Sequence, residues 1–321
     1  MSPDARSDAA RHDAAGHDAA GHDAAGMDVA VLVSPSAGRG RASALSGAVL
    51  DAFRAAGLSP RVLSAVTGAE AERQAAAAVV AGTGAVVAVG GDGAAHAALQ
   101  AVAGTTTPLA VIPAGTGNDL ALALGIPRDP VAAAHAAAED LLAGRIASFD
   151  AGRTGGRWWS TVLCCGFDSA VTDRANRLRW PRGRRRYDIA ILAELARLRP
   201  REVTLVLDGE SRTVPVTLVA VGNTPWYGGG MKVCPSADPT DGTFDVTVVG
   251  PMGPLELVRS RPRLTAGTHV LHPTVTVHRA TRVELTSPGV TTYADGEPVA
   301  PLPAVAECVA GAVRIVGTGR R

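Results

Sequence analysis

Residues 85–93 read AVVAVGGDG, and this stretch decides the fold of the first half of the chain. Its small and β-branched apolar residues predict a strand over 85–89, and the glycines that follow predict a sharp turn into a helix. Residues 109–119 read LAVIPAGTGND and repeat the same order of apolar strand and glycine-rich loop. We therefore expect two consecutive units of strand, loop and helix.

The same alternation extends back towards the start of the chain. Apolar runs at 29–33 and 61–66 predict two more strands, and a helix is predicted over 70–81. Strands that alternate with helices at this spacing indicate a doubly wound parallel sheet. We expect an α/β domain over residues 27–149.

After about residue 149 the pattern changes to short β-branched runs separated by glycine, proline and aspartate turns. The runs lie at 203–207, 214–221, 244–249, 275–277, 283–285 and 313–316, and helical stretches lie near 169–179, 187–198 and 253–260. This pattern predicts a mainly antiparallel β-sandwich domain over 150–321. Before the first strand, three copies of His-Asp-Ala-Ala-Gly contain no large apolar residue, which predicts a disordered tail over 1–26.

The overall composition excludes several classes of protein. Hydrophobic residues make up 46% and charged residues 19% of the 321, so most of the chain should fold. A net charge of +1 gives no general attraction to nucleic acid, and we expect no nucleic-acid partner. No uncharged apolar stretch reaches the roughly 18–20 residues of a spanning helix, and no signal peptide is seen, which predicts a cytoplasmic protein.

Two residue types restrict the chemistry further. Lys232 is the only lysine, whereas a Walker-type kinase or a protein kinase needs a lysine close to its phosphate-binding motif. Any phosphate chemistry must therefore rely on backbone N–H groups, arginine and a metal ion. The four cysteines have no metal-ligand spacing and are expected to be buried and reduced. They are Cys164, Cys165, Cys234 and Cys308.

The loop Gly90-Gly91-Asp92-Gly93 should open at the carboxyl edge of the sheet, where open parallel sheets bind their ligands. Because glycine has no Cβ atom, the N–H groups of this loop can approach a phosphate closely, and the following helix adds its positive end. Phosphates would repel Asp92 unless a cation or an acidic proton lay between them. Its expected roles are Mg²⁺ contact or proton acceptance. A tight turn with a helix-capping aspartate is the alternative.

The next loop offers Thr116 and Asn118 as hydrogen-bond donors, and Asn118 or Asp119 is expected to cap a helix over 119–124. Residues 34–40 form a third candidate phosphate loop. A Rossmann dinucleotide site is disfavoured there, because a third glycine and a ribose-binding acid are both missing from their usual places.

The second half holds three further polar features. Asp238, Asp241 and Asp245 have the spacing of ligands for Ca²⁺ or Mg²⁺, although a solvated turn explains them equally well. Asp295-Gly296-Glu297 follows an apolar strand and reads as a hairpin turn. A basic run around Trp180 fits either a solvated helix face or docking to anionic lipid headgroups. It consists of Arg174, Arg177, Arg179, Arg182, Arg184, Arg185 and Arg186.

The order of these motifs resembles that of the diacylglycerol kinase catalytic-domain family, which includes bacterial soluble lipid kinases and the sphingosine kinases. The similarity covers about residues 28–317. The motifs that carry it are Ser34-Pro35-Ser36-Ala37-Gly38, Gly90-Gly91-Asp92-Gly93, Pro113-Ala114-Gly115-Thr116-Gly117-Asn118-Asp119, Cys165-Gly166-Phe167-Asp168, Gly222-Asn223, Tyr227-Gly228-Gly229-Gly230-Met231, Asp241-Gly242 and Tyr293-Ala294-Asp295-Gly296-Glu297.

The resemblance implies an ATP-dependent, Mg²⁺-requiring kinase whose active site lies between the two domains. By the same resemblance, Glu297 is a proton acceptor, with Asp92 as the other candidate, and Asp238, Asp241 and the carbonyl group of Thr243 hold a structural Mg²⁺. The implied nucleotide contacts are Ser34, Pro35, Ser36, Ala37, Gly38, Thr67, Gly90, Gly91, Gly93, Thr116, Asn118 and Asp119.

We expect phosphorylation of a membrane lipid, with diacylglycerol converted to phosphatidic acid, and peripheral contact with the anionic inner face of a membrane. A sphingoid or other lipid acceptor stays open, because His96 is more like the sphingosine kinases. A kinase for a soluble substrate stays open too, as does a non-catalytic nucleotide-binding regulator, since Ala94 and Ala97 replace polar residues usual in the family. A homodimer is also left open.

Overall fold

The computed structural model describes residues 26–33, 41–178, 180 and 184–317. Apart from Gly26, the predicted tail lies outside these residues. The first half contains β1 (Asp28–Val33), α1 (Arg41–Ala55), β2 (Ser59–Ser64), α2 (Gly68–Val80), β3 (Ala85–Gly90), α3 (Asp92–Val102), β4 (Leu109–Pro113), α4 (Asp119–Ala123) and α5 (Pro130–Leu142).

The second half contains most of the strands. They are β5 (Ile146–Thr154), β6 (Arg157–Trp159), β7 (Val162–Gly166), β8 (Arg201–Leu207), β9 (Glu210–Val216), β10 (Leu218–Gly222), β11 (Trp226–Tyr227), β12 (Met231–Lys232), β13 (Phe244–Val249), β14 (Val275–Ala280), β15 (Arg282–Thr286), β16 (Thr291–Ala294), β17 (Glu297–Pro301) and β18 (Ala304–Val316). The helices are α6 (Phe167–Arg177), α7 (Arg184–Leu195), α8 (Pro254–Ala266) and a short 3-10 helix, Thr268–Leu271.

The first four strands form a parallel sheet in the order β2-β1-β3-β4. Helices α1 and α5 cover one face, where Phe53 and Leu141 join a core with Val87. Helices α2 and α3 cover the other face, where Ala75 and Ala98 let the helix backbones come close to the sheet. The structure confirms the predicted doubly wound parallel domain.

Two sheets packed face to face make up the second half. The six-stranded sheet has the order β14-β13-β10-β7-β16-β17, and it faces strands β8, β9, β15 and β18. Between the sheets, the rings of Trp159 and Phe244 stack with centroids 4.9 Å apart, surrounded by aliphatic side chains such as Leu205 and Val219. The predicted β-sandwich is confirmed.

One predicted strand, 214–221, is wrong because it is two strands in different sheets. Strand β9 ends at Val216 and β10 begins at Leu218. Thr217 makes the crossing, with its N–H donating to Val249 O and its Oγ1 donating to Gly250 O, each at 2.8 Å. Val216 and Leu218 are both buried, so the apolar run continues through the crossing without a break.

Helix α8 also differs from its predicted extent, 253–260, because it continues to Ala266 through Pro262. A proline inside a helix removes one hydrogen bond and usually ends the helix. Here Pro262 lies on the exposed side of a surface helix, where water can satisfy the carbonyl group that loses its partner.

Strand β18 links the two halves. Its residues 304–307 pair with β15 in the sandwich, whereas Ile315 pairs with Leu109 of the parallel sheet. One ten-stranded sheet therefore runs through both halves, and Val313 and Ile315 belong to the core of the first half. Strand β5 likewise crosses residue 149, so the boundary at 149 stays a prediction. In the part of the chain that is described, no helix is long and apolar enough to cross a membrane.

Candidate active site

The two glycine loops touch at the carboxyl edge of the parallel sheet. Ala114 donates its N–H to Gly90 O at 2.8 Å, and a Cβ atom on Gly115 would collide with the backbone of Gly91. The Asn118 side chain closes the second loop, because Oδ1 accepts from Gly115 N and Nδ2 donates to Gly115 O, both at 3.1 Å. These glycines are thus required for loop packing, whatever they bind.

Asp92 ties the first loop to the start of α4. Its carboxylate accepts hydrogen bonds from the backbone N–H groups of Asn118 at 2.9 Å and Asp119 at 2.7 Å. Any side chain at Gly117 would overlap this carboxylate. Burial and the charge of Asp119 raise the pKa of Asp92 to about 7. Asn118 occupies the predicted N-cap position of α4, but its side chain makes no capping bond to the helix, and Asp92 supplies that bond from another loop.

Asp119 connects the first half of the chain to the second. It is buried, and its carboxylate accepts the N–H groups of Gly229 at 3.0 Å and Gly230 at 2.9 Å. Those glycines follow Tyr227, whose hydroxyl donates to Asp168 at 2.7 Å. Burial raises the pKa of Asp119, although the two backbone N–H groups oppose that shift.

Asp295 is the most enclosed acid of the site. It occupies the turn between β16 and β17 with φ +53°, yet only 3% of its side chain is exposed. It accepts Ser160 N at 2.9 Å, Thr161 N at 3.0 Å and Thr161 Oγ1 at 2.6 Å, and His96 Nδ1 lies 3.2 Å away. Burial would raise the pKa of Asp295, but the bonds from His96, Thr161 and Ser160 outweigh burial and lower it. Asp295 therefore stays ionised.

His96 belongs to a chain of polar contacts that crosses the site. Its Nε2 lies 3.2 Å from the guanidinium group of Arg157, which also binds Glu72 through two bonds of 2.7 and 2.8 Å. A guanidinium group can only donate, so Nε2 accepts and Nδ1 carries the hydrogen that is donated to Asp295. Helix α2 is thereby linked through β6 and α3 to the hairpin that holds Asp295.

Glu297 lies at the start of β17 and is exposed. A Cβ atom on Gly93 would lie 3.9 Å from its Oε1, so the carboxylate borders the first glycine loop. Within the described ranges it has no hydrogen-bond partner, in contrast to Asp92 and Asp295. An unbonded carboxylate beside a candidate phosphate loop is able to accept a proton.

The structure brings seven sequence-predicted residues together: Gly90, Gly91, Asp92, Gly93, Asn118, Asp119 and Glu297. Thr116 is exposed on the same loop as Asn118. Thr67 caps α2 and accepts Glu70 N at 3.2 Å, so it already has a structural role. Ser34, Pro35, Ser36, Ala37 and Gly38 lie outside the described residues. The nucleotide contacts therefore stay predictions.

The predicted metal loop has a different arrangement. Asp238 accepts the N–H and hydroxyl of Thr240, and Asp241 accepts those of Thr243. Arg279 donates to Asp241, and also to Thr243 Oγ1 at 2.6 Å. A metal ion there would have to displace this guanidinium group or share Asp241 with it. No cluster of three His, Cys, Asp or Glu side chains suited to a metal occurs in the described residues, and the metal site stays a prediction.

The sequence patterns do not identify the roles of three contributors to the site. Asp295 reads only as a turn residue, since an Asp-Gly pair in a hairpin carries no sign of burial. His96 stands out only as a departure from the family pattern, and none of the motifs contains Arg157. Their contacts join residues 61 and 199 positions apart, which no local pattern can show. The one signal in the sequence was that Asp295 lies within Tyr293-Ala294-Asp295-Gly296-Glu297, one of the motifs that carry the family resemblance.

Comparisons with known proteins show similarity along both halves of the chain. A family model of the diacylglycerol kinase catalytic domain matches residues 28–154, and one of the YegS C-terminal NAD kinase β-sandwich-like domain matches residues 161–317. A diacylglycerol kinase of Mycobacterium tuberculosis is 41% identical over 295 residues, which cover 90% of this chain and 94% of the relative. A diacylglycerol kinase of Bacillus subtilis is 30% identical over 178 residues, or 55% of this chain and 58% of the relative.

Solved structures show the same fold. A crystal structure of a diacylglycerol kinase from Bacillus anthracis has a TM-score of 0.68 and 18% identity, and the match covers 90% of this chain and 96% of that chain. The sequence relatives and the matched family models together span both halves of the site, including the glycine loops and the hairpin of Asp295. The chain belongs to the diacylglycerol kinase catalytic-domain family of lipid kinases.

Proposed function

We propose that this protein transfers the γ-phosphoryl group of ATP to the free hydroxyl group of diacylglycerol and so forms phosphatidic acid. The relative that matches 90% of the chain at 41% identity is a diacylglycerol kinase, which supports this acceptor. The observation that carries the proposal is the unbonded Glu297 carboxylate, which borders the glycine loop at Gly93 where the phosphates would lie.

The N–H groups of Gly90, Gly91 and Gly93 are the proposed phosphate contacts, and Thr116 adds a hydroxyl group. Asp92 and Asp119 would fit a Mg²⁺ ion shared with the nucleotide, because they are two neighbouring carboxylates at the glycine loops, and burial and nearby aspartates raise the pKa of each. Kinase sites usually hold Mg²⁺ through one or two carboxylates plus phosphate oxygens, without an all-protein cage. When bound, the ion would neutralise phosphate charge.

Glu297 is the better candidate for accepting the hydroxyl proton. Both Asp92 oxygens already accept backbone N–H groups, and Asp295 is enclosed by five donors. Glu297 can turn towards an incoming lipid because nothing in the described residues holds it. Asp92 then holds the two glycine loops together, and Asp295 joins α3 to the hairpin of the second half.

The test is incubation with labelled ATP, Mg²⁺ and vesicles that contain diacylglycerol, a sphingoid base or neither. We expect labelled phosphatidic acid, and a drop of at least about 100-fold in turnover for Glu297→Gln. Glu202→Gln, which removes a charge from exposed β8, is the control and should behave like the parent. Label only in the sphingoid product would overturn the acceptor, and label in no lipid would overturn the proposal.

A further inference from the structure

Helix α8 is an unusual surface helix because none of its thirteen residues is buried. Leu257 and Leu264 are partly buried against the outer face of the six-stranded sheet, where they meet Val249 and Val275. The opposite side exposes apolar side chains: Leu255 is 61% exposed and Val258 is 51% exposed. The helix is therefore apolar towards the sheet and apolar again towards solvent.

After its first turn, this helix carries charge of a single sign. Arg259, Arg261 and Arg263 are all exposed, and residues 257–271 contain no acid. The one acid of α8, Glu256, pairs with His272 at 3.3 Å. No ion pair neutralises the three arginines within the described part of the chain. An exposed apolar stripe flanked by unpaired arginines is the pattern of a helix that lies in a membrane interface.

The adjoining 3-10 helix extends the same surface. It packs against α8, and its last residue, Leu271, is 83% exposed. We call Leu255, Val258, Arg259, Arg263 and Leu271 together the α8 face. Exposing apolar side chains to water is unfavourable, so the grouping of these exposed residues on one side of the fold indicates a contact surface.

The α8 face lies one element away from the candidate active site. Helix α8 packs on β12, and the glycines between β11 and β12 donate their N–H groups to Asp119. A membrane surface bound at α8 would therefore be close to Gly229 and Gly230, through which the second half contacts Asp119.

The α6–α7 region, which includes the basic run of the sequence analysis, is less suited to this role. Arg174 binds Glu194 at 2.5 Å, and Arg177 pairs with Asp173 at 2.9 Å. Two of its charges are thus neutralised within the fold. Trp180 is 82% exposed and remains available for contact.

We propose that the α8 face docks on an anionic phospholipid bilayer, with its leucine and valine side chains among the outer acyl carbons and its arginines on lipid phosphates. The proposal rests on the proposed function, since an enzyme whose acceptor stays in a bilayer must reach it from the surface. The α8 face carries positive charge and no acid. It would therefore be attracted to an anionic bilayer and repelled by the α8 face of a second copy of this chain.

The experiment measures binding of the full chain, without ATP, to vesicles of phosphatidylcholine with or without phosphatidylglycerol. The variant Arg259→Ser/Arg263→Ser should bind mixed vesicles about 30-fold more weakly, at about fivefold per arginine. Leu255→Ser/Val258→Ser should also weaken binding. Arg54→Ser/Arg128→Ser removes the same charge from the first half and should bind like the parent. Salt should weaken binding of the parent.

Several outcomes would overturn the docking surface: unchanged binding of both α8 variants, equal loss in the control, or equal binding of the parent to neutral vesicles. A variant that loses a dimer in solution but keeps vesicle binding would overturn it as well. Melting temperatures verify that each variant folds. Phosphorylation of a short-chain diacylglycerol in detergent should be unchanged in all three variants. If the parent itself fails that assay, the proposed function fails while vesicle binding still tests the α8 face.

Discussion

The negative charges of two groups of aspartates in this protein are stabilised by different kinds of neighbouring group. In the cleft, Asp92, Asp119 and Asp295 face backbone N–H groups, hydroxyl groups and a histidine that donates one hydrogen. In the loop of the sandwich, Asp241 faces the full charge of Arg279, and Asp245 lies beside the same arginine. The loop thus provides an arginine beside its aspartates, whereas the described residues provide no arginine partner for the three aspartates of the cleft.

This difference is the reason to expect a ligand in the cleft and not in the loop. Burial, and after it the charges of neighbouring aspartates, raise the pKa of Asp92 and Asp119, and a cation that arrives with the nucleotide would lower both pKa values. In the loop, strand pairing places Arg279 opposite Asp245, and the charge of this arginine opposes the rise in the pKa of Asp245 that burial and Asp241 cause. Residue type alone does not distinguish the two clusters.

The largest difference is expected in turnover. Asp92→Asn should lower turnover at least about 100-fold, because it removes a charge that the cation and the loop geometry both need. Asp241→Asn, the matched change in the loop, should lower it less than about threefold. Steady-state phosphorylation of diacylglycerol measures both. Similar losses in the two variants would mean that the loop contributes to catalysis as much as the cleft does.

The contact between His96 and Asp295 should have a smaller effect. His96→Leu removes the hydrogen donated to Asp295 and should lower kcat about tenfold with little change in KM for ATP. His96→Asn offers an N–H donor again and should recover most of the loss, which a purely space-filling role would not predict. His135→Leu, on the exposed side of α5, is the control. Equal activity of the Leu and Asn variants would remove His96 from the positioning of Asp295.

Mg²⁺ binding to the loop can be tested through Arg279. Arg279→Ser frees Asp241 and Thr243, so millimolar Mg²⁺ should raise the melting temperature of this variant by a few degrees more than that of the parent. Arg314→Ser, an exposed change on β18, should respond like the parent. The same response in all three proteins would show that the loop does not take Mg²⁺ even when it is vacated.

The smallest expected effect is a pH dependence of stability. The pKa of Asp92 is about 7 in the folded protein and 3.8 without the fold, so the folded state holds its proton more tightly. Its contribution to stability is complete below about pH 4 and is lost as the pH rises through 7. The melting temperature of the parent should therefore fall by about 3 °C relative to Asp92→Asn between pH 5 and pH 8. Parallel curves would contradict the raised pKa.

Much of the fold was predictable because its strands, loops and helices are defined by residues that are close together in the sequence. A buried strand, a glycine loop and a helix follow one another within residues 85–102 in β3 and α3, so the sequence pattern is enough to identify the parallel sheet. The split of 214–221 into two strands was not predictable, because both sides of Thr217 are equally apolar and only pairing with β13 separates them.

The residues of the candidate site also differ in whether the sequence could predict them. The glycine loops, Asp92 and Glu297 could be named from the sequence because each lies in a short, ordered motif. The roles of Asp295, His96 and Arg157 could not, since their bonds join the turn of one hairpin to a helix and a strand from distant parts of the chain.

The α/β and β halves, the loops at the sheet edge and the types of acid available there can be predicted from the amino-acid sequence, because they depend on neighbours within a few positions. The folded structure is needed to show which acids share a cleft, which one is paired with an arginine, and that β18 returns to the first sheet. Those outcomes depend on contacts between residues far apart along the chain, where burial and charge pairing are set by packing.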